Sequence, residues 1–385
     1  MRIGIFSDTY IPNINGVATS IEMLKKGLEK LGHKVYIVTV NAEKYRYKKE
    51  DNVLRIPGVP IGIFDYRLTS IYPIKAIKTI KDWNLDIIHS QTEFGIGTFA
   101  RFISKQLNIP LVHTYHTMYE DYTHYITKGY FKKTSQKIVE YLTLFYCDST
   151  ATELIVPTKK TADLFVKKYK VKRKVNIIPT GIEIEKFHKK YKLDDLRKKL
   201  NIENEKILLF VGRLGKEKSV DVLIKNQKDL DSKLLIVGDG PERKGLENLV
   251  KELKLENKVI FTGKVPLKDV AKYYKLADVF VSASTTETQG LTIIEALASS
   301  LPVLAINDES FSNVIKNGYN GFLFNNKDEY IKYANMLLKK PIYKINAYES
   351  SLKYSNEVFA SSVLEVYENA IKNGRKPLLK GREKW

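Results

Sequence analysis

A chain of 385 residues is too long for one ordinary core and suits two or three domains of roughly 100–200 residues each. With 43% hydrophobic and 11% aromatic residues it holds enough apolar material for packed cores, which excludes wholesale disorder and fibrous folds. A net charge of +20 attracts nucleic acid, anionic lipid headgroups or phosphorylated substrates without choosing among them, and lysine outnumbers arginine 53 to 11, so a solvated surface of no particular purpose is the competing reading.

Arg2 to Phe6 reads as a strand, Ser7 to Gly16 as a turn, Val17 to Leu31 as a helix closed by Gly32, and Val35 to Val40 as the next strand, a βαβ unit. Met1 to Phe6 meets Ser7 and Asp8 before an apolar signal core forms, which argues against export; the single cysteine, Cys147, permits no internal disulfide. Both point to the cytoplasm. Strands follow at Ile87 to His89 and Leu111 to His113, with a helix from Gly97 to Gln106 between them that stops before Asn108-Ile109-Pro110. This alternation predicts a parallel sheet with helices on both faces.

After Pro179-Thr180-Gly181 the pattern restarts. Residues 182–205, charged and short of strand formers, are the linker candidate. Strands at Ile207 to Val211, Lys233 to Val237, Val259 to Phe261, Val279 to Val281 and Val303 to Ala305 alternate with helical patterns, so a second α/β domain is expected. Asn356 to Lys372 reads as a helix and Lys372 to Trp385 as a basic tail broken by Pro and Gly. No run approaches the ~18 apolar residues of a spanning helix. Two open α/β domains carry their ligand sites at strand ends, which places the chemistry in a cleft between them.

The strongest constellation runs from Glu287 through Gln289, Gly290 and Leu291 to Glu295-Ala296-Leu297-Ala298, directly after a buried strand. Glu287 falls in the strand-to-helix loop and Glu295 within the helix that begins near Gly290. The N–H groups and positive dipole end at that helix start form an anion site, and a carboxylate can accept hydrogen bonds from two vicinal hydroxyls. A diphosphate flanked by two sugars would use all three features.

With Gly212-Arg213-Leu214, Glu217-Lys218, Gly238-Asp239-Gly240-Pro241, Thr262-Gly263-Lys264-Val265 and Pro302-Val303 in the same order, the chain resembles the retaining glycosyltransferases of family 4. The resemblance implies a GT-B fold, in which two Rossmann-like doubly wound domains face an interdomain cleft. The boundaries it suggests are an acceptor and membrane-facing domain at 1–182, a nucleotide-sugar domain at 183–355, and a helix and tail at 356–385 packing back on the first domain. It assigns Glu295 to the ribose hydroxyls, Glu287 with the Gln289, Gly290 and Leu291 backbone to the donor sugar, Arg213 and Lys218 to the diphosphate, and the Val265 backbone to the uracil edge. Val112-His113-Thr114-Tyr115-His116 matches the first-domain motif whose last histidine faces the donor sugar, which favours His116 over His113. The loop Pro12 to Val17 resembles the family's first glycine-rich loop, with Gly16 against the diphosphate; Asn15 stands where a second glycine is frequent, and Ser300 replaces the usual glycine before Leu301-Pro302.

The reaction so implied is transfer by front-side attack, with His116, Glu287, Arg213 and Lys218 as the catalytic set and the leaving diphosphate stabilised by fixed cations. UDP-glucose enters as co-substrate; no further cofactor and no metal is required. Asp229-Leu230-Asp231 mimics a metal-binding acidic pair but lies in the wrong region, and the six histidines show no ligand spacing.

The acceptor is read from a narrower match. His113 to Tyr125, with Thr288 to Thr292 where many relatives carry an aromatic residue, resembles the diacylglycerol glucosyltransferases of bacterial membranes. Phe131, Ile138, Leu142 and Phe145 would share one helical face and Lys132, Lys133 and Lys137 another, a pattern that suits an anionic membrane surface and that core packing explains equally. Tyr45-Arg46-Tyr47-Lys48-Lys49, Tyr66-Arg67 and the tail from Arg375 to Trp385 add basic and aromatic residues of the kind a headgroup region attracts. The expected partners are a UDP-sugar, diacylglycerol and the cytoplasmic face of an anionic membrane. The competing readings are another hexose or a soluble glycan acceptor, a UDP-sugar isomerase, and a nucleotide- or nucleic-acid-binding protein; Gly-x-Gly-x-x-Gly is missing after the first strand and no RNA-binding motif occurs, so no nucleic-acid partner is expected.

Overall fold

The computed structural model describes residues 1–13, 15–41, 47–60, 67–69, 73–116, 137, 140–141, 143–285, 287 and 289–374. The Phe131, Ile138 and Leu142 stripe with Lys132 and Lys133, segment 117–125, Tyr45-Arg46, Tyr66, Thr288 and the tail 375–385 lie outside them. Two units form: Met1–Gly181 with the helix Asn356–Asn373, and Ile182–Ser355.

The first unit holds strands β1 (Arg2–Ser7), β2 (Lys34–Asn41), β3 (Lys48–Glu50), β4 (Val53–Pro60), β5 (Arg67–Thr69), β6 (Ile87–Ser90), β7 (Leu111–Thr114), β8 (Glu153–Val156) and β9 (Val175–Ile177), in the order β3-β4-β2-β1-β6-β7-β8-β9 with β5 beside β4. β1 is central, with Ile5 paired in parallel to Ile37 and to His89, and its buried Ile3, Ile5 and Phe6 explain its unbroken apolar run. The all-parallel expectation fails at one edge, where β3 and β5 run antiparallel to β4. Only Asp51 and Asn52 separate β3 from β4, and so short a turn can join only antiparallel strands.

The helix Asn356–Asn373 buries Phe359, Val363, Val366 and Tyr367 in one core with Ile21, Leu24 and Leu28 of the helix Gly16–Lys30. A Cβ on Gly27 would lie 2.5 Å from that of Ala360, so the glycine permits this close helix contact.

The second unit is a wholly parallel six-stranded sheet, β12-β11-β10-β13-β14-β15, formed by β10 (Ile207–Val211), β11 (Lys233–Val237), β12 (Val259–Gly263), β13 (Val279–Ser282), β14 (Val303–Ile306) and β15 (Gly321–Phe324). Residues 182–205 are not a free linker. They form the short helices Ile184–His188 and Asp194–Lys199, and Ile182, Ile184, Phe187 and Ile202 are buried in the core with Tyr274, Ile294 and Leu297. Their few apolar residues, scattered among charges, all point the same way.

Ser300 follows the helix Leu291–Ala298 with φ of 64°, the left-handed conformation in which helices usually end on glycine. Strain of about 1–2 kcal/mol at a Cβ-bearing residue exceeds the extra chain entropy of glycine. Ser300→Gly should therefore stabilise the protein by about 0.5–1 kcal/mol, read as a raised urea midpoint with an unchanged slope. Among the described residues, no helix is long and apolar enough to cross a membrane.

Candidate functional site

In the second unit the loops at the strand C-termini are tied to one another. Leu214 N–H donates to the Asp239 carbonyl and Glu242 N–H to the Leu214 carbonyl, each at 3.0 Å. A Cβ on Gly238 would lie 1.9 Å from the Gly212 carbonyl oxygen, and one on Gly240 2.4 Å from that of Leu214. The Gly-Asp-Gly-Pro segment is thus more than a turn: its glycines let the β11 loop press against the β10 loop that carries Arg213.

Each expected diphosphate cation is held by a carboxylate. Arg213 donates from Nη2 to Glu217 Oε1 at 2.6 Å, and Lys218, on the turn Lys216–Lys218, pairs with Glu287 across to the β13 loop. The Lys218 and Glu287 side chains are 21% and 20% exposed, so they face solvent while keeping fixed positions. Gly290 has φ of 71°, and a Cβ there would lie 2.9 Å from the Phe311 ring; only glycine turns the chain from Glu287 into the helix Leu291–Ala298. Gln289 beside it is buried. The first turn of that helix adds backbone N–H groups and the positive dipole end to the same loop.

Glu295, one turn further along, accepts a 2.7 Å hydrogen bond at Oε2 from the Tyr274 hydroxyl. Tyr274 is fully buried, stacked on Phe280 and edge-on to Phe187. Burial pushes the Glu295 carboxyl up to about 7, against the opposing pulls of the Tyr274 hydrogen bond and the Lys186 charge. Val265, partly buried, packs against the same core just past β12.

In the first unit the two candidate histidines separate clearly. His113 is fully buried, with Nδ1 3.0 Å from the Ser90 carbonyl oxygen and Nε2 3.3 Å from Glu93, as befits a structural residue. His116 keeps partial exposure, with Nε2 2.5 Å from Gln91 Oε1, and burial of its ring pushes its pKa down to about 4, so the imidazole is neutral at pH 7. In the first loop, Asn15 is extended at φ −154° and caps the helix Gly16–Lys30 by accepting from Ala18 N–H at 2.9 Å. A glycine is not needed at that position. Arg55 holds the same loop through the Ile11 carbonyl at 2.9 Å, and nothing lies within 4 Å of a Cβ placed on Gly16.

Thus Lys218 and Glu287 meet directly, Arg213 shares the β10 loop with Lys218, and Glu295 follows Glu287 on the helix; His116 and Gly16 belong to the first unit. Four residues have supporting roles that the sequence reading did not assign. Glu217 was findable by its spacing of four from Arg213, and Gln91 as a polar residue just past a buried strand. Tyr274 sits in an ordinary amphipathic pattern and gave no signal. Asp8, pushed up to about 6 by burial, caps the helix Gly95–Leu107 by accepting from Ile96 N–H at 2.8 Å and from the Thr92 hydroxyl at 2.6 Å. Asp229 is tied to Lys327 at 2.6 Å, and among the described residues no three His, Cys, Asp or Glu side chains cluster as metal ligands.

Residues 14–186 match the family Glycosyltransferase Family 4 and residues 192–365 match Glycosyl transferases group 1. The chain is 40% identical to an alpha-monoglucosyldiacylglycerol synthase of Streptococcus pneumoniae, over 96% of this chain and 86% of that one. It is 36% identical to an alpha-monoglucosyldiacylglycerol synthase of Acholeplasma laidlawii, over 99% and 100%. Among solved structures, sucrose-phosphate synthase of Thermosynechococcus elongatus superposes with a TM-score of 0.76 at 20% identity, covering 96% of this chain and 99% of that one. Anabaena HepE in complex with UDP-glucose gives 0.74 at 18%, covering 96% and 100%. The chain belongs to glycosyltransferase family 4, the retaining enzymes of GT-B fold.

Proposed function

We propose that this enzyme moves glucose from UDP-glucose to the free hydroxyl of 1,2-diacylglycerol and keeps the donor's α configuration. The observation that carries this is the identity of 36–40% with two alpha-monoglucosyldiacylglycerol synthases across almost the whole chain. The site supplies matching chemistry. Glu295 accepts from the ribose diol, Val265 meets the uracil edge, and Glu287 with the backbone of Gln289, Gly290 and Leu291 holds the glucose. The family resemblance gives His116 the same sugar to bind and Gly16 the diphosphate. As the bond from the anomeric carbon to the phosphate oxygen breaks and the bond to the acceptor oxygen forms, the acceptor proton passes to the leaving phosphate oxygen. Arg213, Lys218 and the helix start at Leu291 take up the charge of the departing UDP.

A lipid acceptor brings the enzyme to a bilayer surface, and the first unit carries basic patches that suit one. The helix Ile74–Asp82 buries Ala76, Ile77 and Ile80 and exposes Ile74, Lys75, Lys78 and Lys81. Val166, Lys167, Lys168, Lys170, Lys172 and Lys174 are exposed as well. Each such lysine near an anionic surface is worth roughly 1 kcal/mol. The enzyme is expected on the cytoplasmic face of the membrane, held peripherally. Incubation with UDP-glucose, diacylglycerol in anionic vesicles and soluble glycans side by side should yield α-glucosyldiacylglycerol alone, with vesicle binding that rises with anionic lipid and weakens with salt. A glucosylated glycan as the main product, or binding indifferent to both variables, would overturn the reading.

A further inference from the structure

We propose that Gln91 is a positioning residue that holds His116 as its Nε2–H tautomer, so that Nδ1 is the atom offered to a hydroxyl of the donor sugar. The sugar contact rests on the role given to His116 above; the tautomer rests on geometry alone.

Gln91 lies just past the C-terminal end of β6, is 2% exposed, and places Oε1 2.5 Å from His116 Nε2. Its orientation follows from the other end of the amide. Gln91 Nε2 is 3.2 Å from His89 Nδ1 and 3.1 Å from His89 Nε2. An atom that close to both ring nitrogens stands over the face of the imidazole, because in the ring plane it would collide with ring carbons. An N–H group is attracted to that electron-rich face and a carbonyl oxygen is repelled, so the nitrogen stays over His89 and the oxygen turns to His116. An acceptor oxygen requires a proton on His116 Nε2, which in a neutral imidazole leaves Nδ1 as the acceptor.

His89 is fixed in turn. Its Nδ1 is 2.7 Å from the Tyr367 hydroxyl and its Nε2 2.7 Å from the Thr114 hydroxyl, and burial drives its pKa well down, so no cation forms beneath the amide. Support for His116 therefore passes from the helix Asn356–Asn373 through Tyr367, His89 and Gln91. The charged or titratable groups acting on His116 besides His89 are Glu93 and His113.

The test is nitrogen NMR of histidine-labelled full-length enzyme at pH 8, read beside kinetics. Wild-type His116 should show the Nε2–H pattern. Gln91→Leu, similar in volume, should give averaged tautomers and lower kcat/KM for UDP-glucose about tenfold while binding of UDP itself is unchanged. Gln91→Glu, which keeps an acceptor oxygen, should restore the Nε2–H pattern. An Nδ1–H or averaged wild-type spectrum, or a His116 spectrum unmoved in Gln91→Leu, overturns the proposal; the wild-type spectrum decides even if the variant does not fold. The Nε2–H pattern together with a His116→Ala enzyme of full activity would overturn the sugar contact and leave the positioning by Gln91 established.

Discussion

Replacing Lys218 by alanine should lower kcat for glucose transfer by about 10²–10³-fold, the cost of removing one fixed donor from a developing anion, while the melting temperature stays close to that of the wild type. Lys218 sits on a three-residue turn and belongs to neither hydrophobic core of its unit, so its loss removes one ion pair and no core packing. Two effects combine in the transition state. The departing UDP loses a cation, and Glu287, which Lys218 neutralises in the free enzyme, is left as an unpaired negative charge beside it. Arg213→Ala should cost less, because its guanidinium is 46% exposed and water can replace part of its effect. The order of the two losses is therefore part of the expectation. Wild-type-like turnover in Lys218→Ala, with normal folding, would remove it from the diphosphate site.

Most of the strands legible in the sequence are buried on both faces, and β12, a partly buried edge strand, was legible beside them. Ile207 to Val211 and Lys233 to Val237 read as strands because a parallel sheet covered by helices demands apolar residues at successive positions. Strands broken by charge or proline were not legible, wherever they lie in the sheet. Lys48-Lys49-Glu50 contains no apolar residue, β4 is interrupted by Pro57 and Gly58, and β8 opens on Glu153, so none presents the pattern of a central strand. Residues 182–205 contribute buried side chains too sparse for any period to reveal.

At the candidate site, sequence yields the groups proposed to meet the ligand from loops at strand ends, because each such loop carries its charge at a fixed distance from a recognisable strand. The second layer is harder to see. Tyr274 reaches Glu295 and Gln91 reaches His116 from separate elements, 21 and 25 residues away, and a hydrogen bond between two elements imposes no spacing on the chain. The same holds for the Gly-Asp-Gly-Pro segment, whose purpose is visible only once Gly238 and Gly240 are seen against the Gly212 and Leu214 carbonyls.

The value of kcat/KM for UDP-glucose should fall about tenfold per unit as pH drops below about 7, with the limb set by Glu295 in the free enzyme. In the role proposed for Glu295, only the ionised carboxylate can accept from both ribose hydroxyls; its acid form spends one oxygen as a donor. Burial is the main cause of the high pKa, and the Tyr274 hydroxyl opposes it by donating to the charged form. Tyr274→Phe keeps the ring between Phe187 and Phe280 and removes only that donor, so the limb should move to higher pH. Glu295→Gln should abolish the limb along with most of the activity. Stability must run the other way. The folded carboxyl binds its proton more tightly than the unfolded one, so the stability this group confers is complete below the unfolded pKa near 4.5 and is lost as pH rises through about 7. The free enzyme is thus penalised at the pH where it works, and Glu295→Gln, which carries no charge to bury, should gain stability relative to wild type between pH 5 and pH 8. Denaturant unfolding of both proteins across that range checks the sign; a gap that stays constant or closes as pH rises would mean that Glu295 is ionised without cost, and that another group sets the activity limb.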